Sequence, residues 1–301
     1  MSFKGAGMGR IAALLVVVLG VSGCARIDDD PRPRIIASFT VLADIASRVA
    51  GDHARVESLT KYGAEIHGYE PTPGDLRKFV HADLLLVNGL GLEAWFERFL
   101  ADIEAPRAAL SDGVRTIPIT GTHHPNPHAW MSPQESMTYT DNAARALSGI
   151  DPAHAADYRA NAAKYRAELR RIGDDLDRRL GRISATRALV SCEGAFSYLT
   201  RDASLHERFL WPVNTEKQAT PQHMTSVIDF VNDHRIPAVY CESTTNDAQM
   251  RQVARATGAR LGDTLYVDSL SLPDGPVPTH AALLRHDADA IVNGLAERSH
   301  E

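Results

Sequence analysis

The chain has 301 residues, of which 44% are hydrophobic and 6% aromatic, and its formal net charge at pH 7 is −6. This composition is that of an ordinary soluble globular protein, with enough residues for one large core or two smaller ones. The charge is spread along the chain without a basic stripe, which excludes nucleic acid as an expected partner.

The N-terminus has the pattern of an export signal. Residues 4–10 carry two positive charges, and residues 11–23 form an apolar run that ends in small side chains. A membrane-spanning helix needs about 20 apolar residues, so this run is too short to be a span. A basic start, a short apolar core and a small-residue exit predict a signal peptide over residues 1–24.

The signal ends in Leu-Gly-Val-Ser-Gly-Cys, which resembles a lipobox in which Cys24 is acylated and becomes the first residue of the mature protein. Cleavage after Ala25 by an ordinary signal peptidase is the alternative, since Gly23 and Ala25 both have small side chains. We expect the lipid anchor. Residues 25–33, with three Asp and two Pro, then form a solvated tether.

From residue 34 onward, short apolar runs alternate with amphipathic stretches, and the pattern occurs twice. In the first half it predicts strands at 35–38, 56–59, 83–87 and 116–119, and helices at 41–50, 73–81, 92–100 and 133–147. In the second half it predicts strands at 187–191, 209–213, 238–241 and 259–261, and helices at 196–202, 222–234, 248–257 and 279–295. This alternation is typical of parallel sheets covered by helices on both faces.

The segment 151–183 between the two sets predicts one long helix. Asp151 suits the N-cap and Pro152 the first turn. Apolar residues then recur at spacings of three and four from Tyr158 to Ile183 and mark one helical face. Such a helix would be about 45 Å long, which is longer than a lobe is wide. A coiled-coil dimer is the alternative, but the stripe is short and lies inside a globular pattern.

We therefore predict an α/β fold of two lobes, each with a parallel sheet flanked by helices, joined by one long backbone helix. The N-terminal lobe comprises residues 34–150, the connecting helix 151–183 and the C-terminal lobe 184–301. We expect a monomer.

Apart from Cys24 the chain has only Cys192 and Cys241, too few for a disulfide framework. Both end predicted strands, and we expect buried thiols rather than a disulfide.

Four loops that follow predicted strands each carry one candidate metal ligand. In parallel α/β sheets, functional groups gather in the loops at the carboxyl ends of the strands. Each candidate alone is weak, because a loop histidine is more often a surface residue and a carboxylate often caps the next helix. As a set, two neutral nitrogens and two carboxylates balance the charge of a buried divalent cation. The candidates are His67, His128, Glu193 and Asp268.

Six segments resemble the metal solute-binding proteins of manganese, zinc and iron ABC transporters. They read GAEIHGYEPTPGDL, NPHAWMSP, CEGAFSYL, WPVNTEKQATP, CESTTN and LYVDSLS, and the resemblance runs from Ile35 to about Leu284. It implies that His67, His128, Glu193 and Asp268 are the metal ligands, two from each lobe. It also implies that the metal is a transported ligand, and that the partners are a membrane permease and its ATPase.

The ligand set bears on which metal is carried. Zinc-binding members of this family typically have His at the position of Glu193 and a long His-rich loop before the second ligand. Here that loop is reduced to His123 and His124. Carboxylate oxygens shift preference toward manganese and ferrous iron. We therefore expect Mn²⁺ or Fe²⁺ as the cargo, with a zinc-specific protein of the same family as the alternative, since zinc binds such sites tightly in vitro.

An exported metal-dependent hydrolase is the alternative from another functional class. A catalytic metal keeps an open position for water beside a general base, for which Glu65, Glu70 and Glu242 are the candidates. Four protein ligands leave little room for a substrate, so we expect no enzyme activity.

Both histidines must be neutral to bind metal, so metal affinity is expected to fall below about pH 6.

Overall fold

The computed structural model describes residues 30–79, 81–95, 103–184, 186–213 and 219–296. The predicted signal peptide, Cys24 and residues 25–29 of the predicted tether lie outside these ranges. Within the ranges, no helix is long and apolar enough to cross a membrane. The described residues from Arg32 onward belong to one compact unit, and the lobe boundaries at residues 150 and 184 stay predictions.

The first lobe is built on a four-stranded parallel sheet in the order β2-β1-β3-β4. Buried apolar residues line its two central strands and the inner faces of its helices. Its strands are β1 (Arg34–Ala37), β2 (Arg55–Ser58), β3 (Leu84–Val87) and β4 (Arg107–Ala109), and its helices are α1 (Thr40–Ala50), α2 (Pro73–Phe79) and α3 (Pro133–Ile150).

Helix α3 begins with a side-chain N-cap. The Ser132 hydroxyl accepts a hydrogen bond from the backbone N–H of Glu135 at 3.1 Å, and Pro133 occupies the first turn. A 3₁₀ turn, Ala129–Met131, immediately precedes this cap. The start of α3 therefore fixes the backbone directly after His128.

Two predictions for the first lobe need correction. Residues 116–119 contain only an isolated bridge from Pro118 to Pro125 instead of a strand, because proline has no N–H to donate to a ladder. The fourth strand is Arg107–Ala109, whose alanines give little β signal. In the predicted helix 92–100, Leu92–Trp95 form a 3₁₀ turn and the remaining residues lie outside the described ranges.

The predicted connecting helix is confirmed with shorter bounds. A 3₁₀ turn, Pro152–His154, leads into α4 (Ala155–Leu180), whose 26 residues span about 39 Å. The apolar stripe is buried along its length, and it packs on α3 and on α8 (His280–Ala296). Its buried residues are Tyr158, Ala162, Tyr165, Leu169, Ile172, Leu176 and Leu180.

The second lobe contains two parallel ribbons, β5-β6 and β7-β8. A backbone hydrogen bond of 2.8 Å from the Tyr240 N–H to the Val190 carbonyl joins them side by side. Helices pack on this sheet, and α7 has the bounds predicted for residues 248–257. The elements are β5 (Ala188–Glu193), α5 (Ser197–Asp202), β6 (His206–Trp211), α6 (Pro221–Asp233), β7 (Ala238–Val239), α7 (Ala248–Thr257) and β8 (Arg260–Leu261).

The expectation of buried thiols is wrong, because Cys192 and Cys241 form a disulfide. The hydrogen bond between β5 and the residue after β7 brings the ends of both strands together, and the two Cα atoms lie 4.9 Å apart. That separation is within the usual range for a disulfide. The bond therefore ties together two chain segments that lead directly into the loops at this sheet edge.

Candidate metal centre

Four side chains from both lobes converge on one point, and one donor atom of each lies within 4.8 Å of the others. Nε2 of His67 is 2.9 Å from Nε2 of His128, 3.4 Å from Oε1 of Glu193 and 3.9 Å from Oδ1 of Asp268. Nε2 of His128 is 3.5 Å from Oε1 of Glu193. In a tetrahedral site with bonds of roughly 2.1 Å, neighbouring donors lie roughly 3.4 Å apart. The spacing suits a single ion.

The backbone of each lobe supplies two of these side chains. Glu193 is the last residue of β5, paired with Trp211 of β6. Asp268 follows the parallel bridge between Glu242 and Leu265 at the same sheet edge. His67 and His128 lie in the loops that follow β2 and β4. All four residues therefore lie at or after the carboxyl ends of parallel strands, where binding groups usually gather.

Burial decides the protonation of the two imidazoles. Burial lowers the pKa of His67 to about 4, and it lowers the pKa of His128 well below its ordinary value, with the neighbouring His67 adding to the effect. Both rings are therefore neutral near pH 7 and offer a nitrogen lone pair. Proton competition at His67 then begins near its pKa of about 4 rather than near the expected pH of about 6.

Asn126 orients the ring of His128. Its side-chain oxygen lies 2.7 Å from Nδ1 of His128 and also accepts the His128 backbone N–H at 3.0 Å. Because an amide oxygen only accepts hydrogen bonds, Nδ1 carries the imidazole proton, and the Nε2 lone pair faces the cluster. The Asn126 amide donates to the Gly194 carbonyl at 2.7 Å. The residue pattern does not single out Asn126, although it stands in the NPHAWMSP segment, two positions before His128.

Asp268 is oriented from its own lobe by a hydroxyl. Thr244 donates from Oγ1 to Oδ2 of Asp268 at 3.1 Å, while Oδ1 is the oxygen that faces His67. Asp268 and Glu193 are both completely buried. Two buried carboxylates are costly unless a cation compensates their charge, and one divalent ion supplies the matching charge.

Glu242 lies beside the four-residue cluster, but its carboxyl group differs from those of Glu193 and Asp268 in its protonation state. Burial raises the pKa of Glu242 to about 8, so its carboxyl group is neutral at pH 7. Its Oε2 accepts the backbone N–H of Glu193 at 3.2 Å. The proposed general-base role is therefore unsupported, because the group serves as a backbone acceptor and is already protonated.

The other candidate bases, and the two histidines of the shortened loop, lie outside the cluster. Glu65 accepts the backbone N–H of His67 at 2.6 Å and shapes its loop, and Glu70 is exposed. His123 and His124 are exposed. His124 lines a cavity of about 520 Å³ that His67 also lines.

A protein-family model described as "ZnuA: Zinc-uptake complex component A periplasmic" matches residues 35–294. The chain belongs to this family. Iron-binding protein YfeA of Yersinia pestis is 43% identical, over 96% of this chain and 97% of that protein. The manganese ABC transporter substrate-binding lipoprotein PsaA of Streptococcus pneumoniae is 27% identical, over 94% of this chain and 96% of that protein.

A solved structure of a similar protein has the same fold as this chain. The Mn-bound periplasmic metal-binding protein of Candidatus Liberibacter asiaticus superposes with a TM-score of 0.83 at 35% identity, over 88% of this chain and all of that one. The predicted α/β fold with two lobes joined by a long helix is confirmed.

The family membership fixes the role of this chain at a general level. It is the extracytoplasmic substrate-binding component of a metal ABC transporter, which implies a permease and an ATPase as partners. Its relatives are metal-binding transport proteins, so this family member is not an enzyme and the hydrolase alternative is set aside.

Proposed function

We propose that the protein captures one Mn²⁺ or Fe²⁺ ion with His67, His128, Glu193 and Asp268 and delivers it to the permease of its transporter. The observation that carries this proposal is the convergence of two imidazole nitrogens and two carboxylate oxygens within 4.8 Å. The spacing, the neutral state of both rings and the charge of the two carboxylates all suit a divalent cation.

The donor set supports manganese or ferrous iron over zinc as the physiological cargo. Half of the donors are hard oxygens, which these metals favour. The buried cysteines form a disulfide, so they offer no thiolate. Relatives named for iron and for manganese binding support the same choice. Zinc remains a strong competitor in vitro, because affinity follows the Irving–Williams order.

Capture requires only small changes at this site. The histidines are neutral before the ion arrives, and Asn126 holds the proton of His128 away from the cluster. The ion replaces its water shell with donors from both lobes, so loading stabilises the arrangement in which the lobes are together. We propose that the permease recognises this loaded arrangement.

We also propose that the protein is a monomer held at the membrane by acylation of Cys24. The lipobox pattern and the lipoprotein name of the streptococcal relative support this anchor. Metabolic labelling with a fatty acid should label the wild type but not Cys24→Ala, which should appear in the soluble envelope fraction. Cleavage after Ala25 would instead leave the wild type unlabelled and soluble.

The function is tested by purifying the protein from its own cells without added metal and measuring bound metals per chain. We expect one manganese or iron ion per chain, and deletion of the gene should impair growth only when these metals are limiting. One zinc ion would leave the transport role intact but overturn the proposed cargo. Absence of any stoichiometric metal, with full occupancy not restored by Mn²⁺ or Fe²⁺, would overturn the capture role.

A further inference from the structure

The residues on either side of Asp268 are held by hydrogen bonds from the first lobe. The Ser269 hydroxyl accepts the Gly63 backbone N–H at 2.7 Å and lies 3.3 Å from the Thr40 hydroxyl. The Thr40 hydroxyl in turn accepts the Leu270 backbone N–H at 2.9 Å. Thr40, the first residue of α1, and Ser269 are both almost fully buried.

These bonds connect two ligand loops that belong to different lobes. Gly63 lies four residues before His67 in the same loop, and Ser269 directly follows Asp268. On the other side of Asp268, the Trp130 indole N–H donates to the Val267 carbonyl at 3.1 Å, and Trp130 lies two residues after His128. The Asp268 backbone is therefore fastened on both sides to segments that carry the two histidines.

The donors and acceptors of this contact are matched. The Ser269 hydroxyl can donate to the Leu270 carbonyl at 3.1 Å while it accepts from Gly63, and the Thr40 hydroxyl can then donate to Ser269. Separation of the lobes must break these buried bonds. Buried groups left without partners cost free energy, so the contact opposes opening.

We propose that Thr40 and Ser269 are positioning residues that hold Asp268 toward His67 and thereby slow release of the metal. We refer to their contact with Gly63 and Leu270 as the hydroxyl latch. Oδ1 of Asp268 lies 3.9 Å from Nε2 of His67, further than Oε1 of Glu193 at 3.4 Å. A small displacement of the Asp268 loop would therefore withdraw this carboxylate from the ion. The inference rests on the proposed capture of a metal by this cluster.

The test compares substitutions that remove or keep one hydroxyl. Thr40→Val preserves shape and removes the latch hydroxyl, whereas Thr40→Ser retains it. Thr140→Val is the matched control, because Thr140 is equally buried but its hydroxyl donates to Ser136 within α3 at 2.8 Å. Ser269→Ala is a second way to break the latch. Each full-length protein is loaded with Mn²⁺, and release into excess chelator is followed by stopped flow.

We expect Thr40→Val and Ser269→Ala to release Mn²⁺ roughly five- to tenfold faster than the wild type. Thr40→Ser should be close to wild type. Thr140→Val should release Mn²⁺ at the wild-type rate even if the melting temperature of its metal-free form falls as far as that of Thr40→Val.

The latch is overturned if Thr40→Val and Ser269→Ala release metal at the wild-type rate, or if Thr140→Val accelerates release equally. These outcomes concern variants measured against a wild type that binds one ion. If the wild type itself binds no Mn²⁺, the failure lies in the proposed function, and the latch falls with it.

Discussion

The side-chain oxygen of Asn126 lies 2.7 Å from Nδ1 of His128, which turns the opposite nitrogen of that ring toward His67 and Glu193. The same amide donates to the Gly194 carbonyl, directly after Glu193. One side chain therefore orients a candidate ligand from the first lobe and contacts the loop of a candidate ligand from the second.

Substitution of Asn126 by Ala should weaken metal binding about 10- to 100-fold, because His128 loses the partner that fixes its tautomer and ring orientation. Asn142→Ala is the control. Asn142 is also buried, but its amide donates to the Leu110 and Asp112 carbonyls within the first lobe. Competition titration with a chelator measures both affinities. Equal losses in the two variants would mean that Asn126 acts through general stability alone.

Replacing the carboxylate by an amide should weaken metal binding at Asp268 but not at Glu242. Asp268→Asn deletes one of two compensating charges and should weaken Mn²⁺ binding about 100-fold or more. Glu242→Gln should stay within about threefold of the wild type, because burial raises the Glu242 pKa to about 8 and the native group is already neutral. Isothermal titration of both variants checks this contrast. A larger loss in Glu242→Gln would show that Glu242 is ionised when the metal binds.

Metal affinity should depend little on moderate acidity. Burial lowers the His67 pKa to about 4, and the His128 pKa lies well below its ordinary value. Protons therefore compete with the metal for these nitrogens only at a pH well below the ordinary histidine pKa. Between about pH 7.5 and about pH 5.5, the Mn²⁺ affinity from competition titrations should change less than about threefold. A tenfold loss per pH unit over that range would mean that an imidazole titrates with an ordinary pKa.

His280 should make the metal-free protein less stable in acid. It is buried, bonded to the Tyr165 hydroxyl and the Trp130 carbonyl, and burial lowers its pKa from 6.5 to about 4. Between these values the unfolded chain binds a proton that the folded chain excludes. The stabilisation by neutral His280 is therefore complete above the unfolded pKa and is lost as pH falls toward the folded one.

The measurement is chemical denaturation of the wild type and His280→Gln at several pH values. Glutamine can offer a donor and an acceptor without titrating. The free energy of unfolding of the wild type should fall relative to the variant by up to about 1.4 kcal/mol per pH unit between about pH 6.5 and about pH 4. Parallel pH dependences in the two proteins would contradict the prediction.

The parts of the fold with a local signal could be predicted from sequence. The stripe from Tyr158 to Leu180 specifies a helical face whatever its neighbours are, and α4 follows it. The strand at Arg107–Ala109 lacks such a signal, because alanine has little β preference and the pairing with β3 is a tertiary contact. The sequence pattern therefore places the fourth strand at residues 116–119, a run that contains a proline, instead of at Arg107–Ala109.

The candidate metal site also has parts that the sequence predicts and parts that it does not. His67, His128, Glu193 and Asp268 each lie at or after the end of a parallel strand, so the topology predicts that they gather. The hydroxyl latch cannot be predicted in this way, because Thr40 and Ser269 are 229 positions apart and neither has a distinctive neighbour pattern. The disulfide cannot be predicted from residue spacing, because it depends on the adjacency of β5 and β7, which the strand order decides.

The most direct test of the four-residue metal site is anomalous X-ray diffraction from crystals of the full chain loaded with Mn²⁺. We predict one strong anomalous peak per chain, within bonding distance of Nε2 of His67, Nε2 of His128 and carboxylate oxygens of Glu193 and Asp268. A fully occupied peak elsewhere, or a peak bonded to only one lobe, would contradict the assignment of these four residues as the ligands.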